Sequence, residues 1–113
     1  MMKHGKICKN DVVVLPFPFS DLSATKRRPA LIVAELSGDD FILCQITSIT
    51  RKDGYSIILE NKDFYKGKLG NDSTIRPNRL FTADKSISLY KVGAIKTNKS
   101  KIVEDVIVNI FRK

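Results

Sequence analysis

Asp11-Val-Val-Val-Leu-Pro-Phe-Pro-Phe-Ser-Asp-Leu-Ser-Ala-Thr-Lys-Arg-Arg-Pro-Ala-Leu-Ile-Val-Ala34 decides the fold of this 113-residue chain. Two apolar runs rich in β-branched residues, Val12 to Leu15 and Ala30 to Val33, read as buried strands. Pro16 and Pro18 cannot donate ladder hydrogen bonds, so they end the first strand or hold it at a sheet edge. Between the runs, Lys26, Arg27 and Arg28 meet Pro29. Three cations beside a proline-stiffened turn are suited to holding a phosphate.

The strand pattern continues outward from this pair. Strand one covers about Asp11 to Leu15 and strand two about Ala30 to Leu36. Ser37-Gly-Asp-Asp40 is a tight turn, and so short a connection makes strand three, about Phe41 to Ser48, antiparallel to strand two. Asp53-Gly54 marks the next turn, before a strand from Tyr55 to Leu59. Asn61 to Asp72 is polar and reads as a loop with room for one helical turn. Ser73 to Ile75 and Leu80 to Thr82 read as two short strands around Arg76-Pro-Asn78, and Ile87 to Val92 as another.

The C-terminal end changes period. Ile102, Val103, Val106, Ile107, Ile110 and Phe111 recur at three- and four-residue steps, one apolar helix stripe. Thr97 or Asn98 is the expected cap, and Arg112-Lys113 suit the negative end of the helix. Short strands followed by one amphipathic helix predict a mainly β fold. It is a small barrel of about five to seven antiparallel strands with the helix packed on it.

No repeat, linker or low-complexity tract divides the chain, so residues 1–113 read as one domain, with residues 1–9 a flexible N-terminus. Apolar residues make up 42%, which argues against disorder. No apolar run approaches the ~20 residues of a membrane helix. The N-terminal Met1-Met-Lys-His-Gly-Lys6 is basic without the apolar core of a signal peptide, so the expected location is cytoplasmic, with no membrane partner. Twenty basic against 12 acidic side chains leave +8, which suits a polyanionic partner and equally suits plain solubility.

Cys8 and Cys44 have no metal-ligand spacing, and the one histidine, His4, lies near the terminus. Cys44, inside Phe41-Ile-Leu-Cys-Gln-Ile46, reads as a small core hydrophobe. With no carboxylate cluster and no Cys/His set, no metal or other cofactor is expected. Arginine and hydroxyl groups remain as the candidate chemistry.

Four segments in order, Val14-Leu-Pro-Phe-Pro-Phe-Ser-Asp21, Lys26-Arg-Arg-Pro-Ala-Leu-Ile-Val33, Gln45-Ile-Thr-Ser48 and Ser73-Thr-Ile-Arg-Pro-Asn-Arg-Leu-Phe-Thr-Ala-Asp84, resemble the PemK/MazF family of toxin endoribonucleases. The resemblance runs from about residue 9 to near the end of the chain. It implies an SH3-like barrel and a homodimer with single-stranded RNA between subunits. It also implies a cognate antitoxin that blocks this groove through an acidic, disordered tail. The implied reaction is metal-free RNA cleavage leaving a 2′,3′-cyclic phosphate and a 5′-OH. Such cleavage needs a base for the 2′-OH, a cation for the phosphorane charge and an acid for the leaving oxygen.

The family's essential arginine falls just before the proline that opens strand two, which here is Arg28. Its catalytic threonine ends strand three, which here is Thr47. On residue type alone, the favoured reading of Arg28 is an exposed loop-end charge and that of Thr47 an ordinary strand former; the resemblance reverses this. The expected RNA-binding set is Phe19, Asp21, Lys26, Arg27, Ser48, Arg76, Asn78 and Arg79. Asp21 could order its loop by pairing with Lys26 or Arg27, and Phe17 and Phe19 could stack on bases or fill the core.

Two positions depart from the family. Some members carry Arg-x-Asp where this chain has Arg76-Pro-Asn78, and an amide cannot act as a general base. Asn10 replaces the usual glycine before strand one, and asparagine tolerates positive φ. Two other readings remain open: a non-catalytic toxin-like barrel that inhibits a protein target as gyrase poisons do, and an RNA-binding module. The cut sequence depends on loop shapes around residues 17–28 and 50–56.

Overall fold

The computed structural model describes residues 7–16, 27–48, 53–87 and 90–113. Among the described residues, seven antiparallel strands form one sheet, in the order β4-β6-β3-β2-β1-β7-β5. They are β1 (Asp11–Pro16), β2 (Arg27–Glu35), β3 (Asp40–Thr47), β4 (Ile57–Leu59), β5 (Phe64–Gly67), β6 (Ser73–Asp84) and β7 (Tyr90–Ile95), followed by α1 (Thr97–Arg112). The sheet is curled into a half-barrel, with β4 and β5 as its edges. The β2–β3 turn forms where expected, with Gly38 at φ 83 and the Leu36 N–H donating to the Asp40 carbonyl at 3.0 Å.

Both faces of the central strands are buried, which explains why β1 to β3 read as continuous apolar runs. On one face Val12, Leu31, Cys44, Ile46 and Ile75 pack under Val103 of α1. On the other face Val13, Leu15, Ala30, Ile32, Phe41 and Leu43 make a second core. Each large aliphatic buried this way contributes about 1.5–3 kcal/mol.

Five expected elements differ. The stretch read as a loop with room for one helical turn has that turn, a 3-10 turn at Asn61–Asp63, but also carries strand β5. Its strand character comes from pairing with β7, where Gly67 takes φ 70 and lies against Gly93. The two short strands around Arg76-Pro-Asn78 are one strand, β6, because Arg76 and Leu80 oppose adjacent residues of β3. The final strand runs to Ile95, three residues past its expected end at Val92, and the one before β5 is shorter. The helix is capped by the backbone of Lys96 with no side-chain bond, rather than by Thr97 or Asn98. Only part of the helix stripe is buried: Val103 is covered, whereas Ile102 and Phe111 stay exposed.

Asn10 anchors the start of β1. At φ 79 its N–H donates to the Ile32 carbonyl, its carbonyl accepts from the Ile95 N–H, and its Oδ1 accepts from the Ser100 hydroxyl. This places the helix against the sheet. Beside it Asp11 is buried, accepting from the Cys8 N–H at 2.8 Å and pairing with Lys91 at 3.2 Å.

Candidate nucleic-acid interface

The strand registers bring distant parts of the sequence to one end of the sheet. Leu15 of β1 faces Arg28 of β2, and Ala30 of β2 faces Gln45 of β3. Carrying that antiparallel register two residues further sets Arg28 level with Thr47. Across β3 and β6, Thr47 faces Thr74 and Gln45 faces Arg76. Directly opposed residues share a face and side chains alternate, so Arg28, Gln45, Thr47, Thr74 and Arg76 lie on one face. This face continues the second core, that of Val13, Leu15 and Ala30, so the apolar lining gives way to hydroxyls, an amide and guanidinium groups.

Arg28 lies within a paired strand, one position before Pro29, rather than at a loop–strand junction. The ladder to β3 begins at Ala30, one residue past the proline, which has no N–H to give it. Arg28 and Thr47 are half-buried, and Thr74 is buried.

Arg76 is held from outside the sheet. Its side chain is 13% exposed, and its Nη2 donates to Asp53 Oδ2 at 3.4 Å. The other oxygen of Asp53 accepts the Tyr55 N–H at 3.0 Å and the Ser56 N–H and hydroxyl at 3.1 Å each. These bonds, the Tyr55 N–H foremost, bring the Asp53 carboxyl down to about 2, against the opposing effect of burial. Arg76 Nε and Gln45 Oε1 are buried without a hydrogen-bond partner. A donor and an acceptor therefore stand unsatisfied on two directly opposed residues.

The other expected RNA-binding residues are spread more widely. Pro77, Asn78 and Arg79 have no counterparts on β3, and this bulge leaves Asn78 and Arg79 exposed. Arg27 is exposed at the start of β2, and Ser48 just past β3. Phe17, Phe19, Asp21 and Lys26 lie outside the described residues. The sequence reading missed Asp53, taken only as a turn former, although Ser56 three residues on is a signal of a side-chain-capped turn. It also gave Gln45 and Thr74 no role. A glutamine inside an apolar strand was the available signal for the first.

Neither cysteine suits nucleophilic chemistry. Burial pushes the Cys44 thiol up to about 12, and burial followed by the Asp11 charge raises that of Cys8. Among the described residues, no group of three or more His, Cys, Asp or Glu side chains is placed to hold a metal ion. No described helix is long and apolar enough to cross a membrane.

The fold is shared with solved toxins. MazF (Form-I) from Deinococcus radiodurans is similar at a TM-score of 0.73 and 17% identity, covering 95% of this chain and 97% of that one. MazF within the MazE–MazF complex (Form-III) of the same organism gives 0.74 and 15%, covering 93% and 95%. A mycobacterial endoribonuclease in complex with its cognate antitoxin gives 0.72 and 11%, covering 94% and 95%. No curated protein matches the chain. The profile of the PemK-like, MazF-like toxins of type II toxin–antitoxin systems matches residues 9–111, nearly the whole length, and the chain belongs to that family.

Proposed function

We propose that this toxin-family chain is a metal-independent endoribonuclease acting on single-stranded RNA in the cytoplasm. The observation that carries this reading is the convergence of Arg28, Thr47 and Arg76 on one face of β2, β3 and β6. In the proposed reaction the ribose 2′-oxygen attacks phosphorus and the P–O5′ bond breaks. The 2′ proton is removed, the leaving oxygen is protonated, and a 2′,3′-cyclic phosphate and a 5′-OH result.

Arg28 stabilises the charge that develops on the phosphoryl oxygens. The Thr47 hydroxyl donates to one of these oxygens and orients the group; its own pKa lies far too high for it to serve as a base. The charge of +8 draws RNA to the surface. Arg27, Ser48, Asn78 and Arg79 extend the binding track beyond the reacting phosphate, together with Phe19, Asp21 and Lys26 of the segment between β1 and β2.

A homodimer and a cognate antitoxin complete the proposal. The groove lined by Val33, Ala34, Ile42, Leu80, Ile107 and Phe111 offers an apolar surface for a second copy. An acidic antitoxin segment matches the basic surface.

The test is incubation of the purified protein with a long RNA in EDTA, followed by end-group analysis. Cleavage with cyclic-phosphate ends is the expected result. A requirement for a divalent ion overturns the metal-free mechanism. Binding without cleavage of any RNA supplied would leave an RNA-binding module, and neither binding nor cleavage would favour a protein target.

A further inference from the structure

Asn78 removes the carboxylate that some relatives carry beside this arginine, yet a carboxylate still reaches Arg76. It comes from the other side, from the turn that leads into β4. We infer that Asp53 is a positioning residue for cleavage, aiming the Arg76 guanidinium at the phosphate held by Arg28 and Thr47. This rests on the ribonuclease reading above.

Three observations carry the inference. Asp53 is itself immobilised, because one carboxylate oxygen takes three donors from Tyr55 and Ser56 and only the other faces Arg76. Arg76 sits directly opposite Gln45, one alternation from Thr47, so its guanidinium belongs to the Arg28–Thr47 face rather than to the exposed bulge of Asn78 and Arg79. Its Nη2 is committed to Asp53 while its Nε has no partner, so the contact constrains the group without exhausting its donors. An arginine has four side-chain torsions, and a fixed carboxylate limits the directions in which its fork can point.

Asp53 does not take the role of general base. A carboxyl brought down to about 2 is a poor proton acceptor near neutral pH. Its effect passes through Arg76, and that separates positioning from catalysis in a measurable way.

The test is a double-mutant cycle on the single-turnover cleavage rate at saturating enzyme, with Asp53→Asn, Arg76→Ala and the pair. The amide can still accept from Tyr55 and Ser56 but presents no charge to Arg76. Asp53→Asn is expected to slow cleavage about ten- to a hundredfold, with RNA affinity within a few-fold of wild type. In the Arg76→Ala background the same change should have no further effect. The rate–pH profile of Asp53→Asn should keep its shape and move down as a whole.

Multiplying rate losses overturn the inference, and so does an Asp53→Asn rate equal to wild type. Loss of the acidic limb in the Asn variant overturns it in favour of a general base. Should Asp53→Asn fail to fold, Ser56→Ala removes one restraint on the carboxylate and keeps its charge. It should slow cleavage a few-fold in wild type and not at all without Arg76, and any other pattern counts against positioning. A wild-type protein that cuts no RNA sinks the ribonuclease reading itself, whereas an active wild type with independent variants sinks only the role of Asp53.

Discussion

Gln45 of β3 stands directly opposite Arg76 of β6, at the point where residues 77–79 of β6 have no counterparts on β3. Cys44, the neighbour of Gln45, already faces Leu80. The bulge therefore turns Arg76 inward toward the hydroxyl-bearing end of the sheet and pushes Asn78 and Arg79 outward. Two arginines three residues apart thereby acquire different surroundings.

Arg28→Ala should lower the single-turnover rate by roughly 10²–10³, the cost of about 3–4 kcal/mol for losing one preorganised charge contact in the transition state. Thr47→Val keeps the shape and strand propensity but removes the hydroxyl, so it should also slow chemistry while leaving RNA affinity nearly unchanged. Arg79→Ala should instead weaken binding and reduce its salt dependence by about one counterion. Single-turnover cleavage with binding titrations at several salt concentrations separates the two kinds of effect. A wild-type rate for Arg28→Ala at saturation would remove that residue from the chemistry.

Gly93→Ala should destabilise the fold without altering the face that carries Arg28, Thr47 and Arg76. A Cβ there would lie 2.6 Å from the Lys66 carbonyl oxygen and 2.9 Å from the Phe64 ring. Overpacking of this kind costs about 1–3 kcal/mol. The strands involved, β5 and β7, lie at the opposite side of the sheet from β6 and β3. Denaturant unfolding should show a lower midpoint, with the cleavage rate per folded molecule retained; an unchanged midpoint would mean that β5 moves freely away from β7.

The Asp53 turn should resist mild acid. Its folded-state pKa of about 2 lies below the ordinary value of 3.8, so the stabilisation is present above the ordinary value and is lost as pH falls through the folded one. The Tyr55 and Ser56 amide resonances should hold their positions from neutral pH to about pH 4 and shift together between there and pH 2. A transition well above pH 4 would show that these bonds do not hold the carboxylate.

Much of the architecture was legible because the evidence for it is local. The β-branched runs of β1 to β3, the Gly38 turn and the apolar period of α1 follow from side-chain type and spacing alone. Strand β5 was not legible, since Phe64-Tyr-Lys-Gly67 is mostly exposed and becomes a strand only by pairing with β7. The continuity of β6 was hidden for a related reason. Arg76-Pro-Asn78 looks like a turn, and only register with β3 keeps both sides of it in one ladder.

The residues themselves determined the charge, the buried runs and the candidate arginines and threonine. Tertiary structure decided which of these meet: Arg28, Thr47 and Arg76 converge through strand registers, and Asp53 reaches Arg76 across 23 positions of sequence. The physical reason is that identity and periodicity constrain each strand by itself. Opposition between residues depends on hydrogen-bond register and on bulges, which are settled only when whole strands pair and bury both faces at once.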